Sequence, residues 1–254
     1  MKKLVGLLVV FLAFISAPSA RADAPPDYSA TGPFSTSAFD VPGFRVFDPE
    51  GGGPHPVVTF GNGTSANYHD YEGLLEHLAS WGIVTIVADS ARTGDGVAIT
   101  DAARYLLDEN AVPGSRFEGR IDTGSITSMG HSQGAGGAVQ AANHSDGLIT
   151  STVTLNLPDP WWVSEPSHRF DIRAIANPIL MLTGGDDFLT TQHQAYFDAV
   201  PGEALQGRHI GTGHLWPRDG GDIRGYVTAW ILSDHTSVAD KLLGDPHFTA
   251  RWHG

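Results

Sequence analysis

Five short apolar runs limit what this chain can fold into: PVVTF (56–60), IVTIVA (83–88), SITSM (125–129), TVTLNL (152–157) and PILMLT (178–183). Each has the length of a strand and is rich in apolar or β-branched residues, as expected of strands that could be buried on both faces. Stretches of helical period separate them. Tyr71, Leu74, Leu75 and Leu78 fall at i, i+3, i+4 and i+7, as do Ile99, Ala102, Ala103 and Leu106. Ala135, Ala138, Val139 and Ala142 repeat the spacing with side chains small enough for close packing on a sheet. Near the end, Asp222 is expected to cap a helix carrying Ile223, Tyr226, Val227, Trp230 and Ile231. Strands alternating with helices predict an α/β architecture: a mainly parallel, open sheet with helices on both faces. In such sheets function collects at the carboxyl ends of the strands.

Lys2 and Lys3, the apolar run 4–17 and the small residues around Ala20 and Ala22 have the order of a secretory signal peptide. The run is shorter than the ~20 apolar residues of a spanning helix. Residues 1–22 are therefore expected to be removed on export, leaving 23–254 as a single domain, secreted and monomeric. A domain of that size buries on the order of 70% of its unfolded surface and needs no crosslinks. The chain has no cysteine, which excludes disulfides, thiolate metal sites and a cysteine nucleophile. Its formal charge of −13 becomes more negative once Lys2, Lys3 and Arg21 are lost. Such a surface repels polyanions, so neither nucleic acid nor an anionic membrane is an expected partner.

GHSQGAGG (130–137) contains G-x-S-x-G, the pattern that presents a serine on a sharp strand-to-helix turn in α/β-hydrolases. With 31 glycines in the chain the pattern alone is weak, and its context decides. SITSM precedes it and the small-residue helix follows it. Glycines at 130 and 134 relieve a tight turn, and those at 136 and 137 allow close helix packing. A serine hydroxyl needs a base, and the order Ser, Asp, His is expected. After PILMLT, GGDDFLT offers Asp186 and Asp187, with the spacing from Gly184 favouring Asp187. RHIGTGHLWPRD offers His209, within a predicted strand, and His214, beyond the last strand after a Gly-Thr-Gly turn. Backbone N–H groups must also meet an oxyanion. Gln133 follows the serine, and the loop GNGTSA (61–66) supplies the second donor, with Thr64 chosen over Asn62 and Gly63. Asn62-Gly63-Thr64 also reads as a glycosylation sequon, which a buried loop would not serve.

The ordered set GPFSTSAF (32–39), LASWGIVTIVAD (78–89), GHSQGAGG, PILMLTGGDDFLT (178–190) and GTGHLWPRD (211–219) resembles the cutinase-like polyester hydrolases, which include bacterial enzymes that cut poly(ethylene terephthalate). The resemblance covers most of 23–254. It implies an α/β-hydrolase fold, no cofactor and no metal, with Ser132, Asp187 and His214 as catalytic triad. It further implies an ester-binding cleft formed by Gly63, His131, Trp161, Leu189 and Leu215. The chain departs from that family in three places: GNGT stands where glycine and an aromatic are usual, Gln133 replaces a common methionine, and the C-terminal disulfide is absent.

The expected function is hydrolysis of apolar or aromatic esters, polymeric ones included, through an acyl-enzyme. Secreted lipases and general carboxylesterases share this skeleton, and a serine peptidase or amidase would use the same triad. A non-catalytic binding protein would be expected to have lost a triad member. No H-E-x-x-H or comparable metal-ligand spacing is present among the 12 histidines. No insertion between TVTLNL and PILMLT is long enough for a deep lid, so the cleft is expected to be open and apolar.

Overall fold

The computed structural model describes residues 26–254; the signal-peptide expectation lies outside them. One nine-stranded sheet runs through the domain in the order β1-β2-β4-β3-β5-β6-β7-β8-β9. Its middle consists of β3 (His55–Gly61), β4 (Val84–Ala88), β5 (Ile121–His131), β6 (Ser151–Leu155), β7 (Ile179–Gly184) and β8 (Ala204–His209). All six are mutually parallel, and five of them contain the apolar runs. The antiparallel edges are β1 (Thr36–Val41) with β2 (Phe44–Pro49) on one side and β9 (Phe248–His253) on the other. Thus β8 is the last parallel strand, not the last strand, and His214 lies in the connection between β8 and the helices before β9.

Alternation along each central strand divides the core between the two faces. Val58, Phe60, Leu180 and Leu182 pack with α1 (Glu72–Ser80), α5 (Arg224–Leu232) and α6 (His235–Leu243). On the opposite face Val57 and Ile126 pack with α2 (Val97–Ala111) and α3 (Gln133–His144), and Ile179 and Met181 with α3 and α4 (His193–Ala199). Side chains of period 2 and period 3.6 meet in each layer. Asp222 does not cap a helix: it lies in a 3₁₀ turn (Gly221–Ile223) before α5, and its carboxylate meets Nε2 of His209 at 3.1 Å. The neighbouring ring offers that carboxylate a better partner than the helix N–H groups do. Among the described residues no helix is long and apolar enough to cross a membrane.

The strand order opens a crevice beside β3. From β3 the chain passes through α1 to β4 on one side, whereas from β5, on the other side of β3, it passes through α3 to β6. Because α1 and α3 lie on opposite faces, the loops leaving β3 and β5 diverge. A crevice at the carboxyl ends of adjacent strands is where open α/β sheets bind ligands.

Candidate active site

Ser132 occupies the turn between β5 and α3 with φ +55° and ψ −120°. This is a conformation that an L-residue adopts only under strain, costing about 1–3 kcal/mol. The surrounding glycines make the turn possible: a Cβ on Gly130 would lie 2.2 Å from the Gly134 carbonyl oxygen, and one on Gly134 would lie 2.0 Å from that of Gly61. The Ser132 N–H donates to the Leu155 carbonyl at 2.9 Å, tying the turn to the end of β6. The hydroxyl therefore projects from a rigid support.

The ends of β7 and β8 bring two further groups to it. His214 Nε2 lies 2.9 Å from Ser132 Oγ, and its Nδ1 lies 2.6 Å from Asp187 Oδ2. Asp187 is buried and its other oxygen accepts the Leu189 N–H at 2.9 Å. With the Nδ1–H given to the carboxylate, Nε2 is the free lone pair and can take the Ser132 proton. The rivals separate cleanly. Asp186 is exposed, while His209 is buried beside Trp216 and Phe248, with its ring nitrogens near Asp222 and the Ile210 carbonyl.

Beside Ser132, the backbone N–H groups of Gln133 and Thr64 are given to no acceptor among the described residues. Gln133 opens α3, so its N–H also carries the positive end of a helix dipole. Its side chain donates to Thr64 Oγ1 at 3.0 Å and to the Ala91 carbonyl at 3.2 Å, holding the two loops together. Gly63 has no such free donor, since its N–H is given to the Tyr71 hydroxyl at 3.1 Å. Asn62 is buried, and its Nδ2, the atom that glycosylation would modify, donates to the Ala88 and Ser90 carbonyls at 2.9 Å each.

These groups face a cleft of about 610 Å³. Leu189 and Leu215 line it as expected, but Trp161 does not. Trp162 does, while Trp161, 61% exposed, borders a neighbouring hollow. The tight 3₁₀ turn Pro160–Trp162 sends consecutive side chains in different directions, and Trp162 is the one that meets Phe188 edge-on, centroids 6.0 Å apart. Nor is the lining simply apolar, because Arg92, Glu165 and Arg218 contribute to it. The segment between β6 and β7 forms one wall with residues from Pro158 to Phe170, and its three short helices are 3₁₀ turns that build no helical lid.

His131 was expected to touch substrate. Its ring borders the cleft floor but is only 1% exposed, with both nitrogens engaged: Nδ1 lies 2.9 Å from the Tyr71 hydroxyl and Nε2 lies 2.8 Å from the His214 carbonyl. Burial pulls its pKa down to about 4, partly opposed by the hydrogen bond to His214. Between about 6.5 and about 4 the unfolded chain binds a proton that the folded protein refuses. Stability from this group therefore falls as pH drops through that window and is constant outside it. Replacing His131 by glutamine is expected to flatten the melting temperature against pH there; curves parallel to wild type would contradict this.

Three supporting residues escaped the sequence reading. Asn156, left-handed at φ +53°, accepts the Gly184 N–H at 2.7 Å and donates to the His214 carbonyl at 2.6 Å. Its signal was an amide inside the apolar run TVTLNL. Asp159 is fully buried and accepts from Thr191 N–H and Oγ and from Gln192 N–H at 2.6–2.9 Å, fixing the tryptophan turn to the loop after Asp187. Tyr71 read only as helix-face apolar surface, because its hydroxyl finds partners distant in the chain. Among the described residues no group of three or more His, Cys, Asp or Glu is placed to hold a metal ion.

The fold is thus of the α/β class, with a mainly parallel sheet and a Ser-His-Asp cluster at its carboxyl edge. No family model matches the chain, and no curated protein matches it either.

Proposed function

We propose that this protein is an exported serine ester hydrolase with an α/β-hydrolase fold, similar to the cutinase-like polyester hydrolases. The observation that carries the reading is the unbroken series Asp187 Oδ2, His214 Nδ1, His214 Nε2, Ser132 Oγ at 2.6 and 2.9 Å, ending on a strained strand-to-helix turn. His214 takes the Ser132 proton as Oγ attacks the ester carbonyl, and Asp187 holds the resulting imidazolium. The N–H groups of Gln133 and Thr64 meet the oxyanion. His214 then returns the proton to the departing alcohol, and water, activated by the same ring, releases the acid from Ser132.

The wide cleft, and the exposure of Trp162 and Leu215 at 50% and 55%, favour esters with a bulky or aromatic acyl group. A matched ester and anilide, with a fluorophosphonate to label Ser132, test the reaction class. Ester turnover with labelling supports the reading, and an inert, unlabelled protein overturns it. For the cleft, Trp162→Ala is expected to lower kcat/KM on a soluble terephthalate diester by about tenfold, the worth of an aromatic contact. Acetate ester turnover should change little, and Trp161→Ala should leave both substrates close to wild type. Selective loss in Trp161→Ala instead would return the contact to that ring.

A further inference from the structure

His131 connects the two loops that the proposed reaction needs, and the direction of every hydrogen bond through it is determined. The His214 carbonyl can only accept, so His131 Nε2, 2.8 Å away, carries a proton. In the neutral ring Nδ1 is then bare and accepts from the Tyr71 hydroxyl at 2.9 Å. The Tyr71 oxygen, having given its proton, accepts the Gly63 N–H at 3.1 Å. Four groups are satisfied and none is left over. Both side chains are sealed, Tyr71 at 0% and His131 at 1% exposure, so water cannot substitute for a missing partner. Burial also keeps the imidazole neutral, with a pKa of about 4, which preserves this order wherever His214 works as a base.

We infer that Tyr71 and His131 form a proton-ordered strut that positions the His214 loop and the Gly63-Thr64 loop relative to Ser132. The inference rests on the proposed function for its kinetic consequence. At one end the strut shares the His214 carbonyl with Asn156 Nδ2, so the backbone of the base is held from the ends of both β5 and β6. At the other end it takes the Gly63 N–H out of use, while the neighbouring Thr64 N–H is given to no acceptor among the described residues. Neither residue bonds to Ser132 Oγ or to a ring nitrogen of His214, although the His131 ring packs on that of His214 with centroids 4.9 Å apart. Their effect passes through the placement of His214 and Thr64, where a misplacement of about 1 Å costs on the order of 100-fold in rate.

Two measurements test it. In protein with ¹⁵N-labelled histidine, long-range ¹H–¹⁵N spectra are expected to show His131 as the single Nε2–H tautomer from about pH 5 to about pH 8. An Nδ1–H tautomer or an imidazolium in that range would overturn the strut. In kinetics on a small soluble ester, Tyr71→Phe is expected to lower kcat by about 10- to 100-fold with KM within about twofold. His131→Gln, which can keep a donor near the Nε2 position, should retain more kcat than His131→Ala. A folded Tyr71→Phe with wild-type kcat, or equal loss in the two His131 variants, would refute the positioning role. The tautomer is read without turnover, so failure of the strut is distinct from failure of the proposed function, which would appear as an inert wild type.

Discussion

Ser132→Ala is expected to remove ester turnover, with kcat falling by on the order of 10⁶, while the protein stays folded. The rate effect is large because His214 and Asp187 act through Oγ: His214 Nε2 has no other proton to take, and Asp187 serves the reaction by orienting His214. Stability should change little. The turn is held by the Ser132 backbone N–H on the Leu155 carbonyl and by the absence of side chains at Gly130 and Gly134, none of which involves the hydroxyl. The check is single-turnover and steady-state hydrolysis beside a melting curve. Rates close to wild type in a folded Ser132→Ala would end the serine-hydrolase reading, and loss of folding would show that the hydroxyl has a structural role.

The second large effect separates two adjacent carboxylates. Asp187→Asn is expected to lower kcat by about 10⁴, the cost of presenting the wrong tautomer of the base, whereas Asp186→Asn should stay within about threefold of wild type, as for an exposed residue away from such features. Both oxygens of Asp187 accept, one from the Leu189 N–H at 2.9 Å and the other from His214 Nδ1 at 2.6 Å. An amide has one acceptor and one donor. It must either set its NH₂ against the Leu189 N–H or turn it toward Nδ1, which strips that nitrogen of its proton and moves the proton to Nε2. The second arrangement leaves no lone pair facing Ser132. A pair of variants with the losses exchanged would transfer the role to Asp186. Comparable modest losses in both would indicate that neither carboxylate orients the base.

Much of this site is written locally. The turn at Ser132 can be read from GHSQGAGG because its demand is local: a serine at positive φ needs neighbours without side chains, within two residues on either side. The parallel strands were equally legible, since burial on both faces leaves continuous apolar runs in PVVTF and PILMLT. β1 and β9 left weaker traces because they are the outermost strands and carry exposed positions, as in the Phe248–His253 strand, and the run of β2 is broken by Arg45 and Asp48. The sequence also determined that thiol chemistry is absent and that Ser, Asp and His follow one another in that order.

Tertiary structure decided which of two adjacent tryptophans reaches the cleft. Asp186 and Asp187 differ by one position, as do Trp161 and Trp162, and a turn of a few residues sends such neighbours in different directions. The spacing from Gly184 favoured Asp187, whereas nothing in composition or spacing separated Trp161 from Trp162. The strut is further from view: Tyr71 and His131 are 60 residues apart, and His131 and the His214 carbonyl 83. Each looks alone like an ordinary core residue. Their pairing exists only because β3, β5 and β8 deliver their carboxyl ends to one edge of the sheet, and that assembly follows from strand order, which no local pattern encodes.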